Sequence, residues 1–256
     1  MKTRKIIVIS IAVAFAVIAV ISCLTIFSLK KVNVSYAVDG ETDSFEIQNV
    51  LDEYLGSNLL FLSTDEVEQS LRSFNYIEVI SVEKQLPNVL KVSVKERREV
   101  YFIEHDGQVF VTNEDGFVLN SLEDSSTINK RETIELKLTN VNITDMTLGK
   151  IMTTDSPELM AEVFKIAKSA NLTDCIKSIS VEKPMANEMS DVHIKTHTGV
   201  NIVIQKVEED GESKISAAFY AYDELISDFE KGFDTLLVGE VNGEIKVTWS
   251  GKTVIG

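Results

Sequence analysis

Val82-Glu83-Lys84-Gln85-Leu86-Pro87-Asn88-Val89-Leu90-Lys91-Val92-Ser93-Val94-Lys95-Glu96-Arg97 is the stretch on which the fold turns. Val92 and Val94 alternate with polar neighbours, the period of a strand with one buried face. Pro87 has no N–H to give to a ladder and holds φ near −65°, so it suits a connection between antiparallel strands. The pattern predicts strands over Tyr76–Gln85 and Val89–Glu96 joined by Leu86-Pro87-Asn88.

Upstream of these strands the period changes. Ser63 and Glu66 have capping-box spacing, and the helix they open places Val67, Leu71 and Phe74 together. Asn58-Leu59-Leu60-Phe61-Leu62 before it reads as a short extended piece. An earlier helix, capped by Asp43 or Ser44, carries Phe45, Ile47, Val50, Leu51, Tyr54 and Leu55 as one apolar stripe and ends at Gly56. Val32–Val38 alternates as a strand closed by Asp39-Gly40. The predicted order is β-α-(β)-α-β-β.

Further upstream still, Ile6–Leu29 is free of charge. As a helix it would run about 36 Å, enough for a hydrocarbon core of about 30 Å. Lys2, Arg4 and Lys5 favour a cytoplasmic N-terminus, which makes 1–5 a short tail and 6–29 a single transmembrane helix. A cleaved signal peptide has an apolar region of about 7–15 residues and a small-x-small site, and neither is present. Val20-Ile21-Ser22-Cys23 superficially resembles a lipoprotein cleavage box, but the apolar run continues past the cysteine to Leu29.

From Glu99 onward strands dominate. Val100–His105 and Gln108–Thr112 form a hairpin around Asp106-Gly107, and Asn113-Glu114-Asp115-Gly116 turns into Phe117–Leu119. Ser121–Arg131 is a polar loop, and Ile134–Val141 is a strand. Ser156–Ala170 is a helix with Leu159, Val163, Phe164 and Ile166 inward. Strands over Ile176–Val181, Val192–Thr196 and Asn201–Lys206 precede a second helix, Ser213–Phe229. Thr235–Val241 and Glu244–Trp249 close the pattern around Asn242-Gly243, a strong hairpin signal. The domain boundary falls near Glu96–Glu99, giving domains over 32–98 and 99–256.

Charge and chemistry narrow the function. Met1–Lys31 holds five Lys/Arg and no acid, leaving 20 basic and 40 acidic residues in Val32–Gly256. That field opposes nucleic acid. The two cysteines, Cys23 and Cys175, make neither a disulfide framework nor a thiolate metal site, and Cys175 reads as a buried small hydrophobe. His193 and His197 lie in a strand running into a turn, about 13 Å apart and too far to share a metal. His105 stands alone beside a turn. Glu208–Glu212 is an acidic loop ahead of a helix, and Gly251-Lys252-Thr253 lacks the first glycine and the helix of a phosphate loop. No catalytic motif is visible, and no cofactor or small-molecule substrate is implied.

The segment Val32–Arg98 resembles the POTRA domain of the FtsQ/DivIB family of bacterial cell-division proteins. The residues that carry the resemblance are Val32-x-Val34 leading to Gly40, Leu55-Gly56-Ser57-Asn58-Leu59-Leu60, Val67…Leu71, Tyr76-Ile77 and the run Val82–Arg97. Asp106-Gly107 and Asp115-Gly116-Phe117-Val118-Leu119 resemble the start of that family's β domain. Glu99 stands where the family often has proline, and the tail of five residues is short. The resemblance implies an α+β architecture: one N-terminal transmembrane helix, a POTRA domain, then a β-rich domain with two helices. It also implies a non-enzymatic scaffold in the plasma membrane at the division septum. Such a scaffold binds and recruits bitopic partners of the FtsB/DivIC and FtsL type outside the membrane. The alternatives are a membrane-anchored exported enzyme or ligand-binding protein, or a POTRA-bearing secretion or assembly component.

The expected partner site is the final hairpin. Its last strand has nothing after it to cover the outer edge, so unpaired N–H and C=O groups can accept a strand. Ile245, Val247 and Trp249 alternate with Glu244, Lys246 and Thr248. The site is expected at Val241, Glu244, Ile245, Lys246, Val247 and Trp249, with Trp249 as anchor. The resemblance agrees in placing the FtsB-type partner near the C-terminal strands. The bland alternative is a Trp249 that only caps the core.

Overall fold

The computed structural model describes residues 2–37, 44–169, 175–184, 188–225 and 233–251. The chain divides into two compact units, Met1–Arg97 and Arg98–Gly256.

The first unit holds α1 (Lys2–Ile26), β1 (Lys31–Tyr36), α2 (Ser44–Asp52), α3 (Thr64–Leu71), β2 (Ile77–Gln85) and β3 (Val89–Glu96). Its sheet has the order β1-β3-β2. β2 and β3 are antiparallel, as the proline turn requires. β1 lies parallel to β3, Val32 opposite Leu90 and Val34 opposite Val92. A parallel pair needs a crossover, and α2 and α3 supply it. They bury Ile47, Leu51, Val67 and Leu71 against Leu90, Val92 and Val94. The predicted cap at Ser63 is present, its Oγ accepting from the Glu66 amide at 3.3 Å.

Two local readings of this unit need correction. The apolar stripe of α2 stops short of Leu55, because the helix ends at Asp52 and gives way to tight turns into Gly56, whose φ is +87°. Leu55 is therefore 44% exposed. Asn58–Leu62 is a turn, with no strand beyond one bridge between Ser28 and Asn58. The Asn58 side chain accepts from the Leu60 amide at 3.0 Å, and its carbonyl accepts from Phe61 and Leu62. An asparagine that mimics a turn in this way competes with extension. Leu59 and Leu62 enter the core, while Leu60 and Phe61 remain outside.

Among the described residues no helix is long and apolar enough to cross a membrane. Leu29, at the end of the uncharged run, is buried in the first unit's own core.

The second unit begins with β4 (Tyr101–His105), β5 (Gln108–Thr112), β6 (Val118–Leu122) and β7 (Ile134–Thr139). A small ribbon of β8 (Ile143–Asp145) and β9 (Thr153–Thr154), which sequence pattern did not reveal, precedes α4 (Pro157–Ser169). Then follow β10 (Ile176–Glu182), β11 (Asp191–Thr196), β12 (Asn201–Ile204), α5 (Gly211–Leu225), β13 (Phe233–Val241) and β14 (Glu244–Gly251). Nine strands form one sheet in the order β14-β13-β12-β11-β10-β7-β4-β5-β6. The pairs β7/β10 and β12/β13 are parallel, and their crossovers carry α4 and α5. Both helices contribute to one core with Ile179, Val181, Val192, Ile194, Ile202, Ile204, Leu236 and Val238. The segment after β6, predicted as a polar loop from Ser121, starts later, because Ser121 and Leu122 belong to β6. It buries Ile128 against Phe102, Val109 and Val111 in a separate cluster.

Candidate partner-binding edge of the second unit

The hairpin β13–β14 turns at Asn242 (φ 56°) and Gly243 (φ 80°). Two consecutive positive φ values define the type I′ turn, whose twist matches that of the strands. The register pairs Val241 with Glu244, Glu240 with Ile245, Gly239 with Lys246, Val238 with Val247 and Leu236 with Trp249. Cross-strand partners share a face. Ile245, Val247 and Trp249 therefore lie on the face of Leu236 and Val238, the side that the helices cover.

Cover is incomplete there. Val247 packs against the core, whereas Trp249 is 61% exposed and Ile245 is 36% exposed. Trp249 does not cap the core. On the opposite face Val241 and Leu237 are also exposed. Leu237 was not singled out from sequence, because Leu236-Leu237-Val238 is uniformly apolar and hides which side chain points in.

β14 is the last strand of its sheet, and among the described residues it pairs with β13 alone. A two-residue turn makes Val241 and Glu244 the closing hydrogen-bonded pair, after which bonded and non-bonded pairs alternate. Lys246 therefore points its N–H inward at Gly239. The outward N–H and C=O groups belong to Ile245, Val247 and Trp249. Among the described residues, the edge thus combines unpaired backbone groups with two exposed apolar side chains in the same positions.

The strands beneath are held by α5. Ile215, Ala218, Phe219 and Tyr222 are buried in the core, and the Tyr222 hydroxyl lies 2.9 Å from Thr198 Oγ1. Lys214 is 1% exposed and donates from Nζ to the Lys206 carbonyl at 3.0 Å. Gly239 sits under Gln205, where a β-carbon would come within 2.6 Å of its Oε1.

Elsewhere, residues weighed for chemistry are dispersed. His193 projects from β11 as an exposed residue, and His197 follows that strand, its amide bonded to the Cys175 carbonyl. Cys175 is partly buried against the core. His105 lies 3.5 Å from Asp106. Glu208 Oε2 accepts from the Ser190 amide at 2.8 Å at the start of the acidic loop. Among the described residues no three of His, Cys, Asp and Glu cluster to hold a metal. Burial pushes the Tyr101 hydroxyl well above its ordinary value, a core effect rather than a reactive one. Lys252 and Thr253 lie outside the described residues.

Residues 27–97 match the FtsQ-type POTRA domain family. The cell division protein DivIB of Clostridium acetobutylicum is 24% identical over 217 residues, which cover 79% of this chain and 84% of that protein. The chain is thus similar to proteins of the FtsQ/DivIB family, most specifically over its POTRA segment. That similarity supports a division-related role. DivIB of Clostridium tetani is 30% identical over 63 residues, 25% of this chain and 24% of that relative. The major extracytoplasmic domain of DivIB from Geobacillus stearothermophilus, solved as its trans isomer, matches at 11% identity with a TM-score of 0.32. That match covers 53% of this chain and 96% of that one. The α+β build of the first unit agrees with the POTRA match.

Proposed function

We propose that the chain is a bitopic, non-enzymatic division scaffold of the plasma membrane at the septum. Residues 1–5 form a cytoplasmic tail, 6–29 the transmembrane segment, 32–98 the POTRA domain and 99–256 the β domain, both domains lying outside the membrane. Support for the anchor comes from the charge-free run and from its surroundings. Ile11, Val13, Phe15, Val17, Ile18, Val20, Ile21 and Leu24 are all at least half exposed, apolar in every direction, and lipid satisfies such a surface where water does not.

The β14 edge receives bitopic partners of the FtsB/DivIC type, with an FtsL-type protein in the same assembly. The observation that carries this reading is Trp249, exposed on the open strand of a sheet whose other apolar side chains are mostly covered. A partner segment adds to β14 through main-chain bonds, and its side chains meet Ile245 and Trp249 on one face and Val241 on the other. Glu244 and Lys246 flank them as exposed charges that bias register and selectivity.

A photo-reactive amino acid at Thr248 tests the site in living cells. Cross-links to an FtsB/DivIC-type protein are expected there and not from His193, which is exposed on a central strand. The same yield from both positions would place the partner elsewhere.

A further inference from the structure

We infer that the base of the first unit sits in the surface of the bilayer that α1 enters, with Leu55, Leu60, Phe61 and Leu86 in the boundary between headgroups and acyl chains. This rests on the anchor reading and adds a second membrane contact to it. Among the described residues of this unit outside α1, five large apolar side chains are exposed: these four and Ile80. Four of the five gather on two turns, and Phe61 is 79% exposed.

Both turns are bonded to the chain as it leaves α1. The Leu59 amide donates to the Phe27 carbonyl at 2.7 Å, Leu29 to Ser57 at 2.8 Å, and Gly56 to Leu29 at 2.9 Å. Asn58 Nδ2 reaches the Cys23 carbonyl, within α1 itself, at 3.4 Å. The turn Leu86-Pro87-Asn88 is tied in by the Lys30 amide, which donates to the Asn88 carbonyl at 2.9 Å. Lys84 Nζ bridges to the Leu60 carbonyl at 3.3 Å. The first turn is therefore level with Cys23–Phe27, inside the uncharged run. If that run is in lipid, Leu60 and Phe61 are beside it.

The turn is chemically suited to this depth. Asn58 takes up the amides of Leu60, Phe61 and Leu62, so the backbone carries few orphaned donors into a medium that cannot satisfy them. Lys30, Lys31 and Lys84 are exposed around the same point, where they meet lipid phosphates. Asp52 and Glu53, exposed just before the first turn, set the limit of immersion on the water side.

The test uses the full chain with Cys23→Ser and Cys175→Ser, reconstituted alone and sparsely in vesicles of phosphatidylethanolamine and phosphatidylglycerol. A nitrobenzoxadiazole fluorophore is attached to a single cysteine replacing Phe61, Leu86, Ile18, Ile80 or Ser73, and nitroxide-labelled lipid is the quencher. Strong quenching at Ile18 reports the anchor. Quenching at Phe61 and Leu86 is expected to exceed that at Ile80 and Ser73 several-fold. Equal, weak quenching at Phe61, Leu86, Ile80 and Ser73 with Ile18 quenched overturns the inference and leaves the anchor standing. That result also follows if a second copy covers the turns. Absence of quenching at Ile18 removes the anchor and the inference together.

Discussion

Gly116 lies so close beneath Phe164 that a β-carbon on it would come within 2.5 Å of the ring's Cζ. Its φ of +76° is also one that L side chains rarely adopt. The contact fixes the turn after β5 against α4, whose Phe164 ring leans on Tyr101 at a centroid distance of 5.6 Å. Gly116→Ala combines overpacking with a left-handed backbone, so a loss of about 2–4 kcal/mol is expected. Denaturant unfolding measures it. Adding Phe164→Leu should return part of the loss, and strictly additive effects would show that the two residues do not meet.

Leu71 is fully buried where α3 meets the three-stranded sheet. Leu71→Ala leaves a cavity there, and a loss of about 2–5 kcal/mol is expected. The segment Val32–Arg98 has its own core and should unfold cooperatively when produced alone. A non-cooperative melt of that segment would count against its independence.

At the β14 edge, Trp249→Ala and Ile245→Pro are expected to weaken binding of an FtsB/DivIC-type partner in a pull-down. Neither should move the thermal midpoint much. Trp249 is mostly exposed, and the lost amide of Ile245 faces away from β13. Lys246→Pro, by contrast, removes an inward bond and should cost stability. If Lys246→Pro alone affects binding, the edge is not the docking strand.

Asp155 is held below the usual carboxylate range, chiefly by the Ser156 hydroxyl at 2.9 Å. Asn142 donates to it as well, from its amide at 3.2 Å and from Nδ2 at 2.9 Å. A carboxyl depressed on folding stabilises above its unfolded value of about 3.9 and loses that contribution as pH falls through the lower folded value. Acid titration of the wild type should therefore show an extra loss below about pH 4. Asp155→Asn should flatten it, and identical acid limbs would refute the assignment.

For topology, protease added to intact spheroplasts is expected to digest the body while α1 stays membrane-bound. A protected body, or a mature N-terminus at Cys23, would overturn the anchor.

Legibility in the sequence followed the range of the interaction. Hairpins turned by Asp106-Gly107 and Asn242-Gly243 were readable because two adjacent residues specify the turn. The Ser63 cap and the inner face of α4 were readable for the same reason, within one or two turns of helix. What misled was local too: Leu55 kept the helical period after the helix had ended, and Asn58 converted an apolar run from strand to turn. The ribbon of β8 and β9 is too short to show a period. Parallel pairings such as Val32 with Leu90, or Ile202 with Leu236, leave no mark on neighbouring residues. At the candidate edge, the strand positions were readable, but the exposure of Trp249 depends on where α5 stops covering the sheet.

The order of strands has a consequence in time. β14 joins the sheet only through β13, and β13 pairs in parallel with β12 across the length of α5. A chain made only as far as β12 holds β4 to β12 yet lacks the proposed docking edge. Leu236 lies opposite Ile202 and Trp249, and Val238 opposite Ile204 and Val247, so β13 joins β14 to the rest of the sheet. The edge proposed for docking is thus built from the two strands latest in chain order, so a molecule lacking them would present no counterfeit of it.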